Sequence, residues 1–266
     1  MKVPHPKQIL RLAMIAPITL VGIPLQWAAV RTSSRAAKVI PQIYHRMLCR
    51  ILGVRLVVRG ERVKNRAALI VANHVSWLDI PVISAAAPVS FIAKAEVGTW
   101  PVVGLLARLQ RTVFIDRTRR TATAATNTMV ASRLGRGDAV VLFPEGTTGD
   151  GIRILPFRSS LVGAVRDTLT GDGEAPVSLQ PLTITYARRG GLPLSDADQA
   201  EIAWYGDMDL APHLGAILKG APIDVILTWG DPITVDARTD RKSVTRLAEA
   251  QVRAAMRAAR AARGLA

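Results

Sequence analysis

Residues 68–82 read ALIVANHVSWLDIPV. The first five are apolar and β-prone, the next seven mix polar with apolar groups, and a helical stretch opens at residue 80. A short apolar run, a polar turn and then a helix is the repeating unit of a parallel sheet. The alternation continues along the chain. Runs at 54–58, 68–72, 90–93, 112–115, 139–143, 177–186, 202–204 and 223–229 predict strands, and 80–87, 101–109, 121–133, 158–169 and 210–218 predict helices. This order implies an α/β fold, a mixed, largely parallel sheet flanked by helices, with functional residues in turns after strand C-termini. The later strands lie closer together in sequence, which implies antiparallel pairing there. Residues 244–263 are Ala/Arg-rich and helical by propensity. Arg253, Arg257 and Arg260 share one face of that helix, which is either solvated or part of a basic docking surface.

Upstream, the chain changes character. Residues 12–30, LAMIAPITLVGIPLQWAAV, carry no charge, while Lys2, Lys7 and Arg11 precede them and Arg31, Arg35 and Lys38 follow. As a helix they would reach roughly 28 Å, close to a bilayer's hydrocarbon thickness. Pro17, Gly22 and Pro24 interrupt the run, and cations on both flanks give no inside/outside asymmetry. The expectation is a broken or re-entrant hydrophobic hairpin embedded in one leaflet, with Trp27 at the headgroup level. A straight transmembrane helix, a cleaved signal peptide and a buried core helix compete with it. Residues 36–58 add Ile40, Ile43, Met47, Leu48, Ile51 and Leu52 at helical spacing, edged by Lys38, His45, Arg46, Arg50 and Arg55, a composition suited to an interface. We therefore divide the chain into a membrane-associating helical segment, 1–53, and an α/β domain with a C-terminal basic helix, 54–266.

Charge follows the same division. The chain has 266 residues and a formal net charge of +15. Residues 1–66 hold 13 basic and 1 acidic residues, 67–240 hold 15 and 18, and 241–266 hold 7 and 1. The excess sits at the two ends and implies a polyanionic partner. An anionic membrane fits the uncharged apolar run better than nucleic acid does. With 5 Trp, 3 Tyr and 4 Phe scattered along the chain, no base-stacking platform is apparent. The single Cys49 excludes an intramolecular disulfide framework and a Cys-rich metal site, and the 4 histidines show no ligand spacing. No metal is expected.

Three turns carry chemistry. In the first, Asn73 to Asp79, a carboxylate that folds back onto the imidazole fixes its tautomer and leaves the other ring nitrogen as a general base. Asp79 ahead of Ile80-Pro81 also reads as a helix N-cap. Alone, the pair is better explained as a structural cap plus a satisfied loop histidine. The second, Phe143-Pro144-Glu145-Gly146-Thr147-Thr148, puts a carboxylate, a glycine and two hydroxyls after another strand. The third, Val113-Phe114-Ile115-Asp116-Arg117, ends a strand on a guanidinium able to clamp a phosphate or carboxylate. Three polar turns at one sheet edge outweigh the structural readings of each.

The residues Asn73–Asp79 resemble the NHxxxxD box of the glycerolipid acyltransferases. Phe143–Thr147 is similar to that family's FPEGT box, 113–117 to its (V/I)FI-x-R box, and the strand LQPLTITY around Pro181 to its last block. Lys94 in FIAKAEV matches a lysine common there. The resemblance spans roughly residues 50–190 and implies acyl transfer from acyl-CoA or acyl carrier protein to a lysolipid hydroxyl, with neither as a resident cofactor. It gives His74 and Asp79 catalytic roles: His74 deprotonates the hydroxyl and Asp79 orients and stabilises the imidazolium. Ser76 is not needed as a nucleophile. Asn73, Lys94, Arg117, Glu145, Gly146 and Thr147 fall to substrate binding, with Glu145 on a glycerol hydroxyl or a neighbouring cation, and donors near Gly146 or Asn73 available to the oxyanion.

The first expected reaction acylates the sn-2 hydroxyl of 1-acyl-glycerol-3-phosphate, giving phosphatidic acid at the inner (cytoplasmic) membrane, with the catalytic domain on the cytoplasmic face. Two departures open an alternative. Thr148 follows EGT where phosphatidate-forming members carry Arg, and Arg111 stands where Gly is frequent. The strings EGTTGDGIRILPF, WYGDMDL and PHL are similar to the lyso-ornithine lipid acyltransferase branch, whose acceptor carries an α-carboxylate. Arg111 and Arg117 would suit either anion. A basic membrane-surface protein with a purely structural His–Asp pair is the non-enzymatic alternative.

Overall fold

In the computed structural model, residues 5–63, 68–115, 129–130, 132–134, 137–163, 177–236 and 239–262 are described. Strand β2 (Ala68–Ala72) is buried along its whole length, as a strand covered on both faces must be. It lies between β6 (Val177–Arg189) and β5 (Ala139–Leu142), both parallel to it. Beyond β5 come β3 (Ser90–Lys94) and β4 (Val113–Ile115), also parallel. On the other side β6 pairs antiparallel with β8 (Ile223–Trp229), and β1 (Val54–Arg59) closes that edge parallel to β8. Two short strands, β7 (Leu192–Pro193) and β9 (Ile233–Val235), pair antiparallel with β6. The sheet is therefore the mixed, largely parallel one expected, with its antiparallel pairs confined to the later strands.

The main core lies on the face carrying α3 (Asp79–Ala86), where Ile70, Ala72, Leu182, Ile184 and Tyr186 meet Leu78, Val82 and Ile83. On the other face α7 (Arg241–Ala262) packs Val244, Ala248 and Val252, and the Thr183 hydroxyl donates to the Val252 carbonyl. Between these elements, α4 (Val103–Leu109) follows a 3₁₀ turn at Ala95–Thr99, and α5 (Asp196–Ile202) and α6 (Leu210–Lys219) cross from β7 to β8. The strand expected at 202–204 is the end of α5 and a loop. Ile202 and Ala203 are buried at a helix end, which a short apolar run cannot be distinguished from. Most of the helices expected at 121–133 and 158–169 lie outside the described residues.

The N-terminal segment differs from expectation. Residues 12–30 form no hairpin of their own, because α1 (Pro6–Arg31) is one 26-residue helix with Pro17 and Pro24 inside it. A proline removes one intrahelical donor but keeps a helical φ, so tertiary contacts can carry the helix through. Those contacts are present: Thr19 bonds Tyr44 at 2.9 Å, and the Gln26 amide donates to Ala37 and Leu109 carbonyls at 3.0 and 2.8 Å. The chain reverses after Arg31, and α2 (Ala36–Leu52) runs back to Gly53, whose φ of 78° ends the helix in the left-handed conformation. At the other end of α1, Gln8 donates to Gly215 and Arg11 to Ile217 and Leu218, supplying donors to the last carbonyls of α6. By length and composition α1 could cross a membrane, and Ile9, Leu10, Leu12, Met14, Leu20, Val21, Leu25 and Trp27 are exposed on it.

Candidate functional site

Register brings the polar turns together. Val71 is opposite Leu142 and Ala72 opposite Leu182, so the chain after β2 emerges between the turn after β5 and the middle of β6. His74 and Asp79 meet there. Asp79 Oδ2 accepts His74 Nδ1 at 2.8 Å, the Val75 amide at 2.7 Å and the Ser76 amide at 3.0 Å, while Oδ1 accepts the Tyr186 hydroxyl at 2.6 Å. Asp79 is 0% exposed. It is the first residue of α3, with Leu78 at the cap position, so its carboxylate reaches back over the loop instead of serving as the expected N-cap.

This geometry sets the tautomer. A carboxylate oxygen holding three bonds is an acceptor only, so Nδ1 of His74 carries the proton and Nε2 a lone pair. The imidazole stacks on Phe143 at a centroid distance of 3.9 Å and 13° between planes. Its side chain keeps 19% exposure, so a substrate can reach it. The arrangement suits a general base facing outward from a buried, fully bonded carboxylate.

Two residues expected to contact substrate hold backbone groups of the fold. Asn73 is 1% exposed, and both ends of its amide grip the Ile184 backbone, donating to its carbonyl at 3.0 Å and accepting its amide at 2.8 Å. Glu145 spans the His74 amide at 2.9 Å and the Leu155 amide at 2.9 Å, pinning the turn after β5 to the histidine loop. Gly146 takes a φ of 78°, which lets its amide bond the Phe143 carbonyl at 3.1 Å and close that turn. Thr147 is exposed beside it, and Lys94 is exposed at the C-terminal end of β3, the same sheet edge as His74. Arg117 lies outside the described residues. Arg111, the other guanidinium expected at the headgroup, precedes β4 and pairs with Asp138 at 2.5 Å, at the opposite sheet edge. The Ser76 hydroxyl is buried, out of a substrate's reach.

Three further residues support the loop. Tyr186 ends the LQPLTITY string; Trp204 in WYGDMDL donates its amide to the Val75 carbonyl at 2.9 Å; and His213 in PHL accepts the Trp77 indole N–H at 2.9 Å. The basic C-terminal helix also works inward. Arg260 donates to the carbonyls of Gly151 and Ile152, and Glu249, bonded to Arg253, accepts the Phe157 amide at 2.8 Å. Of the three expected docking arginines, Arg257 is exposed and Arg253 and Arg260 are half-buried.

Burial pushes the Glu145 carboxyl up to about 7, against the lowering effect of its two amide donors. Between the unfolded value of 4.5 and about 7, the folded state binds a proton that the unfolded state has released. Stability is therefore highest below this window and falls as pH rises through it, by about 3 kcal/mol at most. The thermal midpoint of the wild type should drop between pH 5 and pH 8, and Glu145→Gln, which cannot titrate, should flatten that slope. Equal slopes in fixed detergent would refute the assignment.

A family model described as Acyltransferase matches residues 55–185. The lyso-ornithine lipid O-acyltransferase of Brucella abortus is 42% identical over 247 residues, which cover 93% of this chain and 92% of its own. The 1-acyl-sn-glycerol-3-phosphate acyltransferase of Neisseria gonorrhoeae is 46% identical over 99 residues, 37% of this chain and 39% of its own. A crystal structure of PlsC, the 1-acyl-sn-glycerophosphate acyltransferase of Thermotoga maritima, shares the fold, with a TM-score of 0.61 over 94% of this chain and 95% of that one at 22% identity. With its NHxxxxD and FPEGT turns side by side at one sheet edge and near end-to-end likeness to an enzyme of this kind, the chain belongs to the glycerolipid acyltransferase family.

Proposed function

We propose that this protein transfers an acyl group from a phosphopantetheine thioester, acyl-CoA or acyl carrier protein, to the hydroxyl of a lyso-ornithine lipid at a membrane surface. The observation that carries acyl transfer is the His74–Asp79 pair, with Nδ1 held by a buried carboxylate at 2.8 Å and the ring partly open. His74 Nε2 takes the proton of the acceptor hydroxyl as its oxygen attacks the thioester carbonyl. The C–O bond forms, the C–S bond breaks, and the departing thiolate takes the proton from the imidazolium. Asp79 stabilises that imidazolium without leaving its backbone donors. Lys94, Arg117 and Thr147 remain as groups for the acceptor's polar end.

Likeness ranks the acceptor. The Brucella abortus lyso-ornithine enzyme is matched over 93% of the chain, the Neisseria gonorrhoeae phosphatidate-forming enzyme over 37%. Thr148 points the same way, since the arginine of the phosphatidate-forming members is missing after EGT. The reading expected first from the boxes, acylation of 1-acyl-glycerol-3-phosphate, therefore becomes second; the higher local identity of 46% over the matched stretch favours keeping it in the test.

The fold supports an enzyme lying on its membrane. Contacts at Gln8 and Arg11 tie one part of α1 to α6, and Gln26 ties another to the end of α4, about 27 Å along the helix. A helix fastened to one domain at both places lies along it, which favours embedding in one leaflet over crossing the bilayer. Arg31 sits over the Trp27 ring at 4.1 Å, an arrangement suited to headgroup level. With a cytosolic thioester donor, the site would face the cytoplasm at the inner membrane.

Purified protein in anionic vesicles, given labelled acyl donor, should acylate lyso-ornithine lipid with a kcat/KM at least tenfold above that for 1-acyl-glycerol-3-phosphate. Reversed preference would move the acceptor to the phosphatidate reading. Turnover of neither, with either donor, would overturn both.

A further inference from the structure

We propose that Tyr186 is a positioning residue for acyl transfer, acting on His74 through Asp79. The inference rests on the acyltransferase reading of the His–Asp pair. Asp79 presents its two oxygens to different tasks. Oδ2 collects the imidazole and two loop amides, while Oδ1 has the Tyr186 hydroxyl at 2.6 Å as its donor. A carboxylate turns easily about its terminal torsion. Donors on both oxygens fix that rotation, and with it the direction of the lone pair that holds Nδ1–H.

Tyr186 itself is built to aim. It is 1% exposed among Ile184, Leu182 and Leu78, where an unbonded hydroxyl would be costly. The pairing of β6 with β8 shifts register between Tyr186 and Arg188. Such irregularities redirect a side chain and are frequent beside active sites. The carbonyl at this point is held by the Gln199 amide of α5 at 2.8 Å, so the irregularity is braced from a second element. Burial and the neighbouring Asp79 charge raise the phenol well above its ordinary value, so it stays protonated and can only donate to the carboxylate.

The test is Tyr186→Phe in the full chain, in the detergent or vesicles used for the wild type. The expected result is a kcat at least tenfold lower, with KM for donor and acceptor within twofold and the protein folded. In the ¹⁵N-histidine spectrum, the His74 Nδ1 and Nε2 resonances should move toward a mixture of tautomers. A folded Tyr186→Phe with wild-type kcat and an unmoved His74 spectrum would overturn the proposal. If Tyr186→Phe fails to fold, 3-fluorotyrosine at position 186 keeps the shape and makes a stronger donor. It should shift the His74 resonances and change kcat several-fold, and no change in either would overturn the proposal. The spectrum needs no substrate, so an enzyme inactive on both lysolipids would defeat the proposed function and leave the Tyr186 result readable.

Discussion

His74→Ala is expected to lower kcat/KM by about 10³- to 10⁴-fold, the upper part of the range for a lost general base. The figure corresponds to about 4–5 kcal/mol of transition-state stabilisation. The fold should survive. The His74 backbone keeps its bonds, with its amide to Glu145 at 2.9 Å and its carbonyl accepting the Gly149 amide at 2.8 Å. The side chain bonds the Asp79 carboxylate and stacks on the face of Phe143. Kinetics should be read beside circular dichroism, thermal unfolding and vesicle binding, all three unchanged. This combination also separates the enzyme from a basic membrane-surface protein with a structural histidine. For that protein, the substitution would leave lipid acylation in cells untouched.

The sequence shows which residues share a sheet edge far better than it shows where their side chains turn. The runs at 68–72 and 223–229 mark β2 and β8 to the residue: β2, buried on both faces, reads as an uninterrupted apolar block, and β8 keeps its apolar residues buried around the half-buried Asp224 and Thr228. Parallel register then makes neighbours of the NHxxxxD and FPEGT turns. Side-chain direction is another matter. Asn73 and Glu145 look like substrate groups by type and place, yet each is drawn to backbone amides, and Asn73 finds its partner 111 residues away. Tyr186 reaches Asp79 across 107 residues, from a strand whose irregular pairing nothing in LQPLTITY announces. Arg111 and Asp138 meet across 27 residues at the wrong edge for a headgroup. In α1 the prolines argued for a break, and contacts with α2 and α4 outweighed them. Long-range partners decided each case.

Asp79 gives the sharpest contrast between two substitutions. The Oδ2 position faces three donors, His74 Nδ1–H and the amides of Val75 and Ser76. In Asp79→Asn the carboxamide oxygen must take that position, because the NH₂ group there would meet hydrogens only. The NH₂ then falls where Oδ1 was, against the Tyr186 oxygen, which can turn to accept it. The variant should therefore fold, with a loss of about 1–3 kcal/mol from the buried phenol hydrogen that loses its acceptor, and keep the proton of His74 on Nδ1. What it loses is the negative charge that stabilises the imidazolium, and kcat should fall by about 10²- to 10³-fold. Asp79→Ala is a different case. It strands two amides and a phenol hydroxyl in a site with 0% exposure. At about 1–3 kcal/mol for each of the three orphaned groups, the loss is of order 3–9 kcal/mol, a large share of a domain's usual 5–15 kcal/mol margin. Thermal unfolding should find Asp79→Asn modestly and Asp79→Ala strongly destabilised, while kinetics find both impaired. Wild-type turnover by Asp79→Asn would remove the charge from the mechanism. An Asp79→Ala as stable as wild type would mean that the loop amides have another acceptor, and the carboxylate would no longer be what holds the loop together.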